Sequence, residues 1–376
     1  MFDKISRLLE DDFCKTRGII GCEVAIFQNH KELYHRTCGY NNLEKTEPLK
    51  AGSLYFLYSA TKPVTVTAAM RLVEEGKLGL DDEVAKYLPA YGKAFINVDG
   101  KQVPISRPML IRHLFTMTAG LNYNLSSPEI QSVVDKYGEA ATTRQIVDAF
   151  PLRPLLFEPG ERFEYSLCHD VLAAVVEVVS GKTFSEYLAE TILDPLGMVN
   201  TGFKNTPDVC KRMATHFTFD SGKMLVKEKK NIFVKTEAYE SGGAGLISSV
   251  DDYAKFADTL ASGGVSQDGY RLLKPETINL MRSVQLQPNA VASAFCCAPG
   301  QGYGYGYGVR TRVSSEGGRG PMGEFGWDGA AGAYLLVDPE SKLSIFFATH
   351  LFGWTRVLKH GHCDLRNLVY EILQGE

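Results

Sequence analysis

The sequence lacks several patterns that define common classes of protein. No run approaches the roughly 20 apolar residues of a membrane-spanning helix, and the first residues contain no apolar segment of signal-peptide length. The basic residues form no stripe and the net charge is −4, so nothing favours binding to nucleic acid. No G-x-G-x-x-G run lies between a strand and a helix, which argues against a dinucleotide site. These absences predict a cytoplasmic protein that binds neither nucleic acid nor a membrane.

Cysteine is present but forms no recognisable motif. The eight cysteines include no C-x-x-C pair, and in a large chain without a secretion signal we expect them to be reduced and buried. Cys296 and Cys297 are adjacent, and a redox role is the alternative to simple packing in a loop. No run has the spacing of a convincing metal site, so we expect neither a metal nor a cofactor.

The chain is long and apolar enough to fold around a large core. It has 376 residues, of which 44% are hydrophobic and 11% aromatic, and this suits one or two domains. Phe2, Ile5, Leu8, Leu9 and Phe13 recur at helical spacing, which predicts an amphipathic helix at the start of the chain.

Strand signals lie near both ends of the chain and helix signals lie between them. The predicted strands are residues 23–27, 32–38, 303–309, 332–337 and 343–348. The predicted helices are residues 64–73, 111–115, 143–149, 171–179, 184–193, 251–260 and 365–373. We therefore predict an α/β (α+β) fold. Residues 1–80 and 291–376 would form a mostly antiparallel sheet flanked by terminal helices, and residues 81–290 a mostly helical lobe.

One serine has a lysine three positions later, Ser59 with Lys62, and this pair is unique in the chain. On a helix, residues i and i+3 lie on the same face, so the hydroxyl and the amine are expected to be neighbours near a helix N-terminus. A lysine that gives up its charge can take the proton of a serine and make it a nucleophile. The alternative is an N-cap serine followed by a solvated lysine.

Two further runs favour the chemical interpretation of this pair. Tyr165 lies in a loop just before the helix predicted from residue 171, where its side chain can be presented to a site. Residues 323–332 are dense in glycine around Trp327 and lead into a strand, and glycines let a backbone approach a ligand closely.

Together these runs resemble the serine β-lactamase and penicillin-binding superfamily, and most closely its class C-like branch with the family VIII carboxylesterases and related acyltransferases. That branch has Ser-x-x-Lys, a Tyr-Ser/Ala-x motif, and Trp-x-Gly where β-lactamases have Lys-Thr-Gly. The matching positions here are Ser59 and Lys62, Tyr165-Ser166-Leu167, and Trp327-Asp328-Gly329. The resemblance implies a β-lactamase-like fold with the site between the sheet and the helical lobe.

The resemblance also implies a role for each matching residue. Ser59 would form an acyl-enzyme, and Lys62 with Tyr165 would take its proton and pass it to the leaving group; the sequence leaves open which of the two is the base. The backbone N–H groups of Ser59 and Ala330 would form the oxyanion hole. The substrate-binding residues would be Trp327, Asp328, Gly329 and Leu167.

Three departures from the β-lactamase pattern predict a different substrate. Leu167 stands where β-lactamases have an asparagine that can hydrogen-bond a substrate carbonyl, and Trp327 stands where they have a lysine. A cation near a β-lactam carboxylate helps to hold it, whereas Asp328 would repel it. These departures favour neutral esters or amides.

The leading hypothesis from the sequence is hydrolysis of small carboxylic esters. The alternatives are acyl transfer to an alcohol or amine, D-amino-acid peptidase or amidase activity, weak β-lactamase activity, and a non-enzymatic sensor that captures an acyl group. The expected partner is a small ester or amide, and the oligomeric state is left open.

Overall fold

The computed structural model describes residues 2–290, 302–316, 318–353 and 355–375. The strands are β1 Gly21–Gln28, β2 Lys31–Gly39, β3 Tyr55–Phe56, β4 Phe95–Val98, β5 Lys101–Pro104, β6 Phe217–Asp220, β7 Lys223–Val226, β8 Ile247–Ser248, β9 Tyr303–Tyr305, β10 Arg310–Arg312, β11 Phe325–Asp328, β12 Tyr334–Asp338, β13 Leu343–Thr349 and β14 Leu351–Phe352. The helices are α1 Asp3–Arg7, α2 Thr61–Glu74, α3 Ile111–Phe115, α4 Pro128–Tyr137, α5 Thr143–Val147, α6 Cys168–Ser180, α7 Phe184–Leu188, α8 Pro207–Arg212, α9 Val250–Ala261, α10 Pro275–Arg282 and α11 Thr355–Leu373. π-helical turns continue α1 as Leu8–Thr16 and α7 as Ala189–Leu193.

Both ends of the chain build one seven-stranded antiparallel sheet, in the order β2-β1-β13-β12-β11-β10-β9. Strands from the two ends of the chain are joined where β1 pairs with β13, and there Val24 lies opposite Phe347. Asn29 and His30 turn the chain from β1 into β2 with φ of 49° and 65°, as the hairpin turn that matches strand twist requires. The predicted antiparallel sheet with helices is confirmed.

Side chains alternate between the two faces of the sheet, and each face is covered by helices. Val24 and Ile26 pack with the terminal helices, whose buried residues include Leu9, Phe13 and Val369. On the opposite face lies the main core, in which α9 covers the sheet and Tyr253 stacks on Phe346 with ring centroids 4.1 Å apart. The central strands are therefore buried on both faces.

Between residues 81 and 290, helices outnumber strands among the described elements, but the region also holds strands that no sequence pattern predicted. These are the hairpins β4–β5 and β6–β7 and the short strand β8. The hairpin strands are four residues long and largely exposed, so they carry no buried, alternating pattern. The division into a sheet domain and a helical lobe stays a prediction. Helix α9 belongs to residues 81–290 by sequence, but it packs on the sheet.

The strand predicted over residues 303–309 is shorter in the structure. Only Tyr303–Tyr305 is β9, because the Gly306 N–H donates to the Val309 carbonyl and forms a turn into β10. Cys296 and Cys297 lie outside the described residues. Within the described ranges, no helix combines the length and the apolar character needed to cross a membrane.

Candidate active site

Ser59 is presented by a short 3₁₀ turn, Tyr58–Ala60, that leads directly into α2. Tyr58 has φ of 48°, an unfavourable value for a residue with a side chain, and such strain persists only where the surroundings hold it. The ring of Tyr58 is fully buried between Phe233 and Phe352, with centroids 5.7 and 5.4 Å away. The nucleophile candidate therefore lies on a turn that the core fixes from behind.

The three predicted catalytic side chains converge. The Lys62 Nζ lies 3.1 Å from the Ser59 Oγ, as expected for positions i and i+3 at the start of a helix. The Tyr165 hydroxyl lies 2.7 Å from the same oxygen, although it comes from a segment 106 residues away. Both distances permit direct proton transfer with the serine.

Lys62 is fully buried, and its ammonium position is fixed by groups from two other segments. Its Nζ donates to the Gly243 carbonyl at 2.7 Å and lies 3.4 Å from the Tyr123 hydroxyl. It also lies 4.7 Å from the centroid of the Tyr165 ring, where the face of the ring attracts a cation. The amine is thus aimed at Ser59.

Tyr123 belongs to the site, and the sequence analysis missed it. Its ring stacks on Tyr165 at 5.5 Å between centroids and with 16° between planes. Burial raises the pKa of Tyr123 well above its usual value, so its hydroxyl stays protonated and can donate. The only sequence signal is its place in the polar turn Asn122–Tyr123–Asn124 that follows Gly120.

Trp327 and Asp328 point to opposite faces of strand β11. The Trp327 indole is 2% exposed and stacks on Tyr165, with centroids 6.0 Å apart, so it packs against the side of this candidate catalytic tyrosine. The Asp328 carboxylate is buried on the other face and paired with Arg310 at 2.5 Å. The predicted role of Asp328 in substrate binding stays a prediction, although strand alternation turns its carboxylate away from Tyr165 and Arg310 neutralises its charge.

The side chain of Leu167 is buried next to the site, and its predicted role in substrate binding stays a prediction. Leu167 is 1% exposed, precedes α6 and packs in the main core. Its backbone N–H donates to the Asn122 carbonyl, which ties the loop of Tyr165 to the loop of Tyr123. The buried side chain thus packs beneath the loop that carries Tyr165.

Gly329 brings the end of β11 against the turn of the nucleophile. A Cβ on Gly329 would lie 2.3 Å from the Leu57 carbonyl oxygen, so only glycine fits there. Ala330 follows directly and is half-buried beside this turn. Its proposed oxyanion-hole role with the Ser59 N–H stays a prediction, as does the role of Trp327 as a substrate wall.

A buried carboxylate, Asp170, holds the loop that binds Lys62. Its Oδ1 accepts hydrogen bonds from the Ser241 hydroxyl at 2.6 Å and the Tyr239 hydroxyl at 2.7 Å. The Gly243 N–H is 3.4 Å from the same oxygen, and the Gly243 carbonyl is the acceptor for Lys62. Burial raises the pKa of this carboxyl, against the hydrogen bonds and the Lys62 charge that lower it.

We expect Asp170→Asn to lower kcat for ester hydrolysis about 10-fold to 100-fold, because the charge near Lys62 is lost while the acceptor oxygen remains. Asp170→Ala should also leave the buried Ser241 and Tyr239 hydroxyls unpaired, at about 1–3 kcal/mol of unfolding free energy each. Steady-state kinetics and urea unfolding would measure both effects. A wild-type kcat in Asp170→Asn would contradict this role.

Behind Tyr58 lie two buried histidines, His216 and His350, stacked with ring centroids 4.3 Å apart. Burial lowers the pKa of His216 to about 4, and burial together with the neighbouring His216 lowers that of His350 well below its usual value. The His216 Nε2 is 3.4 Å from the Tyr58 hydroxyl. This neutral pair is part of the support for the nucleophile turn.

Acid should destabilise the protein through these histidines. The pKa of His216 is lower in the folded protein than the ordinary value of 6.5. Its contribution to stability is therefore complete above pH 6.5 and is lost as the pH falls towards 4. At pH 5 the loss is about 2 kcal/mol for such a group. In urea unfolding, wild type should lose about that much more than His216→Phe between pH 7 and pH 5. His360→Asn, at an exposed position, is the control and should behave as wild type. Equal losses in all three proteins would contradict the expectation.

The family model for Beta-lactamase matches residues 6–362 of this sequence. The chain belongs to the Beta-lactamase family. The esterase EstB of Burkholderia gladioli is 30% identical over 373 residues, which cover 90% of this chain and 88% of EstB. The solved structure of EstCE1, described as a hydrolase with promiscuous acyltransferase activity, is 28% identical and superposes with a TM-score of 0.78 over 96% of this chain and 98% of EstCE1.

A third relative shares the fold at lower identity. The unliganded simvastatin synthase LovD of Aspergillus terreus superposes with a TM-score of 0.82 and 23% identity, over 100% of this chain and 99% of that one. The family, the fold and the assignment as a β-lactamase-like hydrolase are confirmed. Among the described residues, no group of three or more histidine, cysteine or acidic side chains has the arrangement of a metal site.

Proposed function

We propose that this protein hydrolyses small, neutral carboxylic esters through an acyl-enzyme on Ser59. The observation that carries the proposal is the position of the Lys62 Nζ and the Tyr165 hydroxyl, at 3.1 and 2.7 Å from the Ser59 Oγ. A serine with two proton-transfer partners at these distances has the arrangement of an activated nucleophile. The esterase EstB, with 30% identity over most of both chains, supports the same activity.

Each step uses groups already in place. Ser59 attacks the ester carbonyl while Lys62 and Tyr165 take its proton, and the N–H groups of Ser59 and Ala330 stabilise the oxyanion. The proton then passes to the leaving alcohol, and the ester bond breaks to leave the acyl-enzyme. A water molecule, deprotonated by the same pair, attacks this intermediate, and the proton passes to the Ser59 oxygen as its bond to the acyl group breaks and the acid leaves.

Neutral substrates are favoured by what surrounds the serine. Tyr123, Tyr165 and Trp327 form an aromatic row, and Trp327 occupies the position at which β-lactamases have a lysine. Asp328 is paired with Arg310 on the far side of β11, so it neither repels a substrate carboxylate nor attracts a substrate cation. Because Asp328 is paired in this way, it no longer favours the cationic substrate of a D-amino-acid peptidase or amidase.

Acyl transfer to an alcohol is the second candidate, supported by the likeness to EstCE1 and its described acyltransferase activity. It would use the same acyl-enzyme and differ only in the nucleophile that removes the acyl group. With p-nitrophenyl butyrate and added alcohol, transfer would yield a new ester in place of the free acid. If added alcohol did not change the products, hydrolysis would be the only activity of the acyl-enzyme.

A fluorophosphonate probe followed by peptide mapping tests the proposal directly. We expect one equivalent of label on the peptide that contains Ser59, and protection of that serine by p-nitrophenyl acetate. A panel of p-nitrophenyl esters of increasing chain length should be turned over faster than nitrocefin or a D-alanyl amide. Label on another serine would refute the proposal. A single burst of product without turnover would instead indicate an acyl-capturing sensor.

We also propose a cytoplasmic location and a small-molecule ester as the partner. The location is supported by Cys14, Cys22 and Cys38, which lie close together in the structure as free thiols.

A further inference from the structure

Three cysteines from three separate segments meet beneath the terminal helices. Cys14 lies in the π-helical turn Leu8–Thr16, Cys22 in β1 and Cys38 in the edge strand β2. Cys22 and Cys38 are direct partners in the register of the two strands, and both belong to the core under the terminal helices. None of the three has a role in the chemistry at Ser59.

The sulfurs of Cys14 and Cys38 are in contact. Their Sγ atoms are 3.6 Å apart, so a disulfide requires them to approach by about 1.5 Å, which side-chain rotations and small backbone shifts can provide. The Sγ of Cys14 lies close against the end of β2, since a Cβ on Gly39 would be 3.1 Å from it. The two segments are thus already packed together at the point of the proposed bond.

From this contact we infer that Cys14 and Cys38 form a reversible disulfide when the protein meets a peroxide. Cys14 is partly exposed and Cys38 is buried with 9% of its surface exposed, whereas Cys22 is fully buried. Cys14 and Cys38 are thus the two more exposed members of the cluster, and their sulfurs are in contact. The bond would tie the first helical segment to the edge strand of the sheet.

The charge distribution in the cluster favours the reaction. Hydrogen bonds from the Cys14 and Cys22 thiols lower the pKa of Cys38 to about 3, and Arg36 acts in the same direction. For Cys14, the hydrogen bond with Cys22 lowers the pKa, but the hydrogen bond with Cys38 and burial raise the pKa to about 12. The hydrogen bonds and the Arg36 charge thus favour the thiolate form of Cys38, and the thiolate is the form of cysteine that attacks a peroxide.

The chemistry balances with one peroxide molecule. The Cys38 thiolate attacks a peroxide oxygen, the O–O bond breaks, and the leaving hydroxide takes a proton to become water. The Cys14 sulfur then attacks the resulting sulfenic acid, its proton leaves with the sulfenic oxygen as a second water, and the S–S bond forms. Two thiols lose two electrons in total, and the peroxide gains them.

Treatment of the full chain with hydrogen peroxide, followed by alkylation and peptide mapping without reductant, tests the inference. We expect a peptide pair joined through Cys14 and Cys38, lighter by two hydrogens than the reduced pair, and regenerated thiols after dithiothreitol. Of the eight thiols of the denatured chain, two should be lost at this site. Cys296 and Cys297 are read from their own peptide, so any oxidation there is counted separately.

Variants locate the bond and test its effect on stability. Cys14→Ser and Cys38→Ser should each abolish the joined peptides, whereas Cys22→Ser should retain them. Oxidation should raise the Tm of wild type and of Cys22→Ser by a few degrees, and leave the Tm of the other two unchanged. A bond through Cys22, a sulfinic acid at Cys38, or unmodified thiols at both positions would overturn the inference. The wild-type map decides these outcomes even if a variant fails to fold.

Discussion

Lys62→Met should lower kcat/KM for p-nitrophenyl acetate by about 10²-fold to 10⁴-fold, the range for loss of a positioned acid–base group. Methionine is close to lysine in length, and it can fill the fully buried channel between Ser59 and Gly243. The substitution therefore removes the amine 3.1 Å from the serine with little loss of packing. The fluorophosphonate should also label this variant far more slowly than wild type.

Two comparisons separate chemistry from structure in this experiment. Lys77→Met changes an exposed lysine three residues beyond the same helix, where it pairs with Glu75, and should keep wild-type kinetics. Ser59→Ala should abolish turnover, and adding Lys62→Met to it should cost nothing further, because groups that act as a unit are not additive. A Lys62→Met enzyme within 10-fold of wild type would contradict the assigned role.

Local sequence pattern was enough to predict the pair that this experiment tests. The spacing of Ser59 and Lys62 is a helical i, i+3 relation, and it needs only a helix in that place. Tyr165 could not be found by spacing, since nothing in a sequence shows that a residue 106 positions away will lie 2.7 Å from Ser59. Its position was predicted through the resemblance to the family.

The directions of the side chains around the site are set by tertiary structure. Whether Trp327 or Asp328 faces the site depends on which face of β11 is turned towards Tyr165, and a short strand with glycines around it carries no pattern to decide that. Arg310, which pairs with Asp328, lies in the neighbouring strand β10. The register between β10 and β11 cannot be predicted from the local sequence either. Tyr123 was missed because its role depends on stacking with Tyr165.

The fold shows the same division between local and tertiary information. Helix α3 was predicted with its observed bounds because its apolar residues follow the helical period and are all buried. The hairpins β4–β5 and β6–β7 were missed because exposed strands of four residues have no core side to mark. An element with one buried face has apolar residues at a regular spacing, whereas a hairpin exposed on both faces does not.

Gly329→Ala is expected to reduce kcat about 10²-fold to 10³-fold, the usual effect of losing one oxyanion-hole donor. The added Cβ would lie 2.3 Å from the carbonyl oxygen of Leu57, and a backbone atom cannot rotate away as a side chain can. The same carbonyl accepts from the Ala60 N–H within the nucleophile turn, so relief of the clash must displace that turn or the backbone of Ala330. Either movement separates the serine from the N–H groups proposed to hold the oxyanion.

Gly202→Ala is the matched control, because a Cβ at Gly202 meets nothing within 4 Å and its φ is not positive. It should retain kcat and the urea midpoint, whereas Gly329→Ala should also lose about 1–3 kcal/mol of unfolding free energy from overpacking. Dividing the rate by the number of sites titrated with the fluorophosphonate separates inactive protein from slow protein. If Gly329→Ala were less stable but kept its rate per titrated site, Gly329 would serve packing alone. The oxyanion hole would then have to be sought away from Ala330, since moving its backbone would have left the transition state unaffected.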